Sequence, residues 1–197
     1  VNAHIMSSKA AEITKIGINC FLTTKISYAN MMGDILMKSG LNLEIDTVLS
    51  AIGGDTIVGK KYMKYGFGFG GTCLPRSNRA LGYYTKNLGM ELNLPLIVDE
   101  FNTEHASFLK NHYMSLNPNK ENPFVMNYIT YKRGTDILEE SQQFKLCIDL
   151  LEEGYSVNVI EIDEVVKTLQ SLSESYNGRL KFYKKGTTPE GYVINLQ

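Results

Sequence analysis

Apolar residues keep a helical spacing as far as Leu116, and beyond Pro123 they fall into short β-type runs alternating with helical ones. No other feature constrains the fold as much: a helical part comes first and a layered α/β part second. In the first part Ile13, Ile16, Cys20, Phe21, Thr24, Tyr28, Met31, Met32 and Ile35 recur at steps of three or four. They predict one long helix, with Lys38 in its last turn and Gly40 as the residue after its cap. A second helix is predicted over about 43–52, stopped by Gly53-Gly54. The stretch 55–75 holds Gly59, Gly66, Gly68, Gly70 and Gly71 and reads as an ordered loop. A helix over 78–88 should end at Gly89. Asn93-Leu94-Pro95 predicts an N-cap with proline in the first turn of the next helix, which carries Leu94, Ile97, Val98, Phe101, Phe108, Leu109, Tyr113 and Leu116. The polar turn at 117–123 marks the boundary, giving a helical domain over 1–117 and an α/β domain over 118–197. In the latter, 124–131, 156–162, 181–184 and 192–196 are strand candidates. The stretches 142–153, stopped by Gly154, and 165–175 are helix candidates.

Charge and cysteine content narrow the function. The chain has 20 Lys+Arg against 21 Asp+Glu, a net charge of -1, which gives no support for nucleic-acid or membrane-surface partners. Its three cysteines, Cys20, Cys73 and Cys147, are too few and odd in number for a disulfide framework, so a reducing compartment, the cytoplasm, is expected. No apolar run approaches the roughly 18 residues of a membrane span, and no signal peptide is recognisable. The first residue is Val1 rather than Met, so a fragment of a longer protein is expected.

Few residues carry chemistry. Gly66-Phe67-Gly68-Phe69-Gly70-Gly71 contains G-x-G-x-x-G, yet a dinucleotide fingerprint should follow a strand and open a helix. Here a lysine-rich segment (Lys60, Lys61, Lys64) precedes it and Thr72-Cys73-Leu74-Pro75 follows. A turn that lets the backbone approach a neighbour closely is the simpler account. Cys73 stands directly after this loop. It is either a structural thiol or a nucleophile whose thiolate is stabilised by neighbouring donors. Cys20 and Cys147 sit on apolar helical stripes and read as core. Lys15 and Asn19 are one helical turn apart, a surface pair or a cation and amide that hold an oxyanion. His105 and His112 lack further ligands at suitable spacing, so no metal site is expected.

Several stretches together resemble the nucleotide-sugar 6-dehydrogenase family, the UDP-glucose and GDP-mannose dehydrogenases. They are Ala11-Glu12-Ile13-Thr14-Lys15-Ile16-Gly17-Ile18-Asn19-Cys20-Phe21-Leu22, then Thr24-Lys25-Ile26-Ser27-Tyr28-Ala29-Asn30, the loop 66–76, and Arg79-Ala80-Leu81. Later Tyr131-Lys132-Arg133-Gly134-Thr135-Asp136 and Glu140-Ser141 continue the likeness. The resemblance implies a helical dimerisation domain carrying the catalytic cysteine, followed by a small Rossmann-like domain that binds the nucleotide sugar. It also implies that the family's N-terminal NAD-binding domain lies outside these residues, with NAD held mainly there. The implied reaction oxidises the sugar C6 alcohol of a UDP-sugar, of UDP-glucose type, to the carboxylate, for polysaccharide biosynthesis. In it Cys73 captures the aldehyde as a thiohemiacetal that becomes a thioester, and Lys15 and Asn19 stabilise the oxyanion. Lys64, Phe67, Gly68, Phe69, Gly70, Gly71 and Lys132 match substrate contacts, and Arg76 matches a basic residue beside NAD. The expected partner is a second copy through the helical domain.

Four positions depart from the family pattern. Ser77 stands where an aspartate usually follows the cysteine by four, and Glu139 where an arginine precedes Glu-Ser. Ile57 takes the place of an arginine common in the UDP-glucose enzymes, and Tyr128 that of a glycine. The alternative these departures leave open is a degenerate, non-catalytic module that binds nucleotide sugars or only dimerises.

Overall fold

A computed structural model describes residues 3–91 and 93–196. The long first helix, α1 (Ser8–Lys38), starts where the Ser7 hydroxyl accepts the Ala10 amide. It ends in a Schellman motif: Gly40 N–H reaches Met37 O at 3.1 Å and Leu41 N–H reaches Leu36 O at 2.8 Å. The same motif closes α3 (Leu74–Asn87) at Gly89 and, in the second part of the chain, α5 (Gln142–Glu152) at Gly154. All three glycines hold φ between 74° and 89°, a conformation a Cβ would disfavour, which is why they stop helices so legibly.

The helical unit comprises 1–104, and the division from the second unit, 105–197, falls inside α4 (Leu94–Leu116). A 3₁₀ turn (Asn42–Glu44) leads into α2 (Ile45–Gly54), which packs on the later half of α1. Ala29, Leu36, Ile45, Leu49 and Met63 form the core there, with Met32, Val48 and Tyr65 against it. Helix α3 begins four residues earlier than the expected 78, because Pro75 starts the helix instead of closing the loop. The Asn93 side chain does not cap α4 as expected: its amide donates to Gly82 O at 2.6 Å and Thr85 Oγ1 at 2.7 Å, tying the end of α3 to this turn.

The second unit is a four-stranded, wholly parallel sheet of order β3-β2-β1-β4, made of β1 (Phe124–Met126), β2 (Val157–Ile160), β3 (Leu180–Tyr183) and β4 (Tyr192–Ile194). Phe124 aligns with Val157 on one side and Tyr192 on the other. Parallel sheets are covered on both faces, and accordingly every residue of β1 is buried, as are Val157, Asn158 and Val159 of β2. Leu146, Cys147, Leu150 and Leu151 of α5 and Val165 complete that core. Strand β1 is shorter than the expected 124–131, because the Ile129 amide turns to the Glu161 carboxylate instead of to a neighbouring strand. The expected helix over 165–175 is two short ones, α6 (Asp163–Thr168) and α7 (Gln170–Ser175), broken where the buried Leu169 leaves helical geometry.

Candidate active site

Helix α1 is turned opposite to a simple apolar stripe. Apart from Leu36 and Cys20, its inward face is polar or small: Thr23, Ser27, Ala29, Asn30, Gly33 and Asp34 are buried, while Ile13, Phe21, Tyr28, Met31 and Ile35 are exposed on the single chain. Of the inward groups, Thr23, Asn30 and Asp34, together with Asn19, form a row of hydrogen-bonding anchors. Asn19 Nδ2 donates to Ser77 Oγ at 3.0 Å. Thr23 and Asn78 exchange hydrogen bonds at 3.0 and 3.1 Å, locking α1 to α3. Asn30 Oδ1 accepts the Gly66 amide at 3.1 Å, and its Nδ2 donates to Phe67 O at 3.4 Å. Asp34 accepts the Tyr65 hydroxyl at 2.8 Å.

The glycine loop is held from both sides. Asn102 of α4 accepts the Phe69 amide and donates to Phe69 O, both at 2.9 Å. A Cβ at Gly68 would collide with Asn102 Oδ1, so glycine is required for this clamp to close. The Phe69 ring is buried, Phe67 and Gly68 are half-buried, and Gly70 and Gly71 are buried, so this is an ordered segment built into the unit. Among the described residues no strand precedes it, and the backbone of Gly66, Phe67 and Phe69 is engaged by the two asparagines, not arranged as a phosphate loop.

Cys73 follows as the N-cap residue of α3 and is exposed, with Thr72 Oγ1 at 3.6 Å from its sulfur. Its carbonyl accepts the amide of Ser77, one turn on, which is itself buried under Asn19. The structure therefore brings the Asn19 amide to the first turn of the helix that Cys73 opens. Lys15 lies one turn before Asn19 on α1 and is exposed, as are Lys64 and Arg76. The other thiols are of a different kind. Burial raises the Cys20 thiol above its ordinary value and pushes Cys147 up to about 12.

In the second unit Lys132 is exposed in the turn after β1, where its carbonyl accepts Thr135 N at 3.1 Å and Thr135 Oγ1 at 2.6 Å. Tyr128, at the carboxyl end of β1, accepts from Gln143 Nε2 at 3.4 Å. Glu139 is exposed, and Ile57, in the helical unit, stands almost fully in solvent. Among the described residues no cluster of His, Cys, Asp or Glu suits a metal ion, and no helix is long and apolar enough to cross a membrane.

Sequence reasoning did not single out Thr23, Asn30, Asn78, Asn102 or Glu161. The signal for the α1 anchors was present: Asn19, Thr23, Ser27, Asn30 and Asp34 repeat at steps of four, four, three and four, a polar stripe at helical period.

Comparison with known proteins gives this arrangement its relatives. Residues 9–104 match the family model described as "UDP-glucose/GDP-mannose dehydrogenase family, central domain". The chain is 30% identical over 166 residues to a UDP-glucose 6-dehydrogenase of Rickettsia bellii, covering 82% of this chain and 38% of that protein. It is 28% identical over 155 residues to a GDP-mannose 6-dehydrogenase of Pseudomonas putida, covering 78% of this chain and 34% of that one. Among solved structures, a UDP-glucose dehydrogenase from Pyrobaculum islandicum superposes with a TM-score of 0.77 at 25% identity, covering 90% of this chain and 40% of that one. The chain thus spans well under half the length of these relatives. The matched helical segment, with its cysteine-capped helix and clamped glycine loop, and the likeness running on into the parallel sheet place the chain in the UDP-glucose/GDP-mannose dehydrogenase family.

Proposed function

We propose that this chain is the central and C-terminal part of an NAD-dependent nucleotide-sugar 6-dehydrogenase acting on a UDP-sugar, with Cys73 as the nucleophile. The observation that carries the reading is the Asn19 amide held at 3.0 Å from Ser77 Oγ, one turn into the helix whose N-cap residue is the exposed Cys73. That bond joins α1 to the first turn of α3, two elements far apart in sequence, and supports a shared site.

The Cys73 thiolate adds to the C6 aldehyde carbon of the sugar, and the carbonyl oxygen takes up the charge. The Asn19 amide and the Lys15 ammonium oppose that charge. Loss of hydride from the same carbon re-forms the carbonyl as a thioester. Water then adds, and the thiolate leaves as the carboxylate forms. Hydride acceptance, here and in the preceding alcohol oxidation, is the chemistry NAD supplies when bound. Arg76, exposed in the first turn of α3 three residues from Cys73, suits the anionic cofactor. NAD would be held mainly by an N-terminal domain outside these residues.

Lys64 and the loop of Phe67, Gly68, Phe69, Gly70 and Gly71 shape the sugar side of the site, with the Phe69 ring supporting it from the core. The parallel order β3-β2-β1-β4 supports a Rossmann-like role for the second unit, in which Lys132 meets the nucleotide sugar. In this reading the functional domains are 1–117 and 118–197, and two copies pair through the exposed apolar stripe of α1. The free thiols suit a reducing cytoplasm.

A non-catalytic reading rests on Ser77, which offers the Asn19 amide a hydroxyl in place of a carboxylate. One assay separates the two. The complete protein should reduce NAD when given UDP-glucose, and Cys73→Ala should lower the rate by at least about 10³-fold. Absence of reduction with the unsubstituted protein supports the non-catalytic reading, and unchanged turnover in the variant refutes Cys73 as nucleophile.

A further inference from the structure

Glu161 is 6% exposed at the carboxyl end of β2, and the proposed chemistry makes no use of it. Its Oε2 accepts the Ile129 amide at 3.0 Å and the Thr130 hydroxyl at 3.5 Å. Its Oε1 accepts the Ile162 amide at 3.0 Å. A buried carboxylate is costly unless its oxygens are satisfied, and these are satisfied by neutral donors, two of them from the segment leaving the neighbouring strand β1. The carbonyl side of Ile129 is fixed as well, accepting the Ser141 hydroxyl at 2.6 Å. The constraint then passes along the chain. Thr130 Oγ1 also lies 3.2 Å from Lys132 O, and that carbonyl takes both the amide and the hydroxyl of Thr135. Tyr131 N–H closes the turn on Ile137 O at 2.8 Å.

We infer that Glu161 is a positioning residue, whose buried carboxylate fixes the 129–135 turn and so sets where Lys132 meets the nucleotide sugar. This rests on the reading of Lys132 given above. Glutamine is the informative replacement. The Ile129 and Ile162 amides sit on different oxygens, and a carboxamide offers one acceptor oxygen and would turn a donor toward the other amide.

The experiment combines amide hydrogen exchange with calorimetric titration by UDP-glucose, in a double-mutant cycle of Glu161→Gln and Lys132→Ala. Glu161→Gln should speed exchange about tenfold across 129–135 and leave the Val157–Ile160 amides protected. It should weaken UDP-glucose binding about tenfold when Lys132 is present and add nothing in the Lys132→Ala background. A merely structural role would weaken binding equally in both backgrounds, and that result, or unchanged exchange at 129–135, overturns the inference. If the unsubstituted chain does not bind UDP-glucose, the nucleotide-sugar reading fails, and exchange alone then judges Glu161. Acceleration confined to 129–135 supports it, while no change or a sheet-wide change overturns it. Should Glu161→Gln not fold, Thr130→Val removes only the hydroxyl contacts and must give the same pattern at smaller size.

Discussion

At the residue scale, exposure separates three cysteines that look alike in the sequence. Cys73 is exposed at the N-cap position of a helix, while Cys20 and Cys147 are buried and their thiols raised by desolvation. Only a thiolate reacts, so iodoacetamide at pH 8 should modify Cys73 at least about tenfold faster than the other two in the folded chain. Peptide mass spectrometry reads the order of labelling, and early labelling of Cys147 would contradict it. Ser77 is the second informative residue. A buried serine under Asn19 holds that amide but offers no base for the water that must cleave a thioester. On the proposed chemistry, the complete protein should therefore accumulate an acyl adduct on Cys73 when given UDP-glucose. Ser77→Asp should raise kcat by about 10²-fold and diminish the adduct, and equal rates for the two proteins would contradict that role.

At the element scale, the glycine loop stands on two asparagines from different helices. Asn102→Ala removes both bonds to Phe69 and leaves a buried amide and carbonyl without partners, at a cost of about 1–3 kcal/mol. Chemical denaturation should show that loss, and Gly68→Ala should show a similar one, since its Cβ displaces the same side chain. Helix α4 carries a pH response. His112 stacks near Phe108, with ring centroids 6.4 Å apart, and burial lowers its pKa from 6.5. The unfolded chain therefore takes up the proton first as pH falls, so this contribution to stability is present above about 6.5 and is lost below it. Melting curves from pH 7.5 to 5.5 should fall less steeply for His112→Gln than for the unsubstituted chain. The α1–α3 lock explains why this level was only partly legible. Gly40, Gly89 and Gly154 announce helix ends locally, whereas Thr23 and Asn78 become partners only across 55 residues.

At the scale of the whole molecule, α1 raises the question of what covers its outer face. Ile13, Phe21, Tyr28, Met31 and Ile35 lie along one side, Phe21 66% exposed on the single chain. A monomer seldom leaves such a stripe in water, and a second copy laid along it is the expected remedy. Sedimentation at micromolar concentration should give a dimer, and Phe21→Glu should shift it to monomer with its helix content retained. A monomeric unsubstituted chain would contradict this. The sequence alone determined that a helical part precedes an α/β part, where the helices ended by Gly40, Gly89 and Gly154 stop, and which family's motifs the chain carries. Those properties rest on period, on glycine conformation and on residue order, all local along the chain. Tertiary structure decided the rest. The apolar stripe of α1 was visible, but not that its polar stripe faces inward, because facing depends on what the other helices offer. The segment after β1 looked like strand until Glu161, 32 residues from Ile129, supplied the acceptor that ends the ladder. A hydrogen bond between distant residues leaves no periodic trace, and the candidate site is built from such bonds.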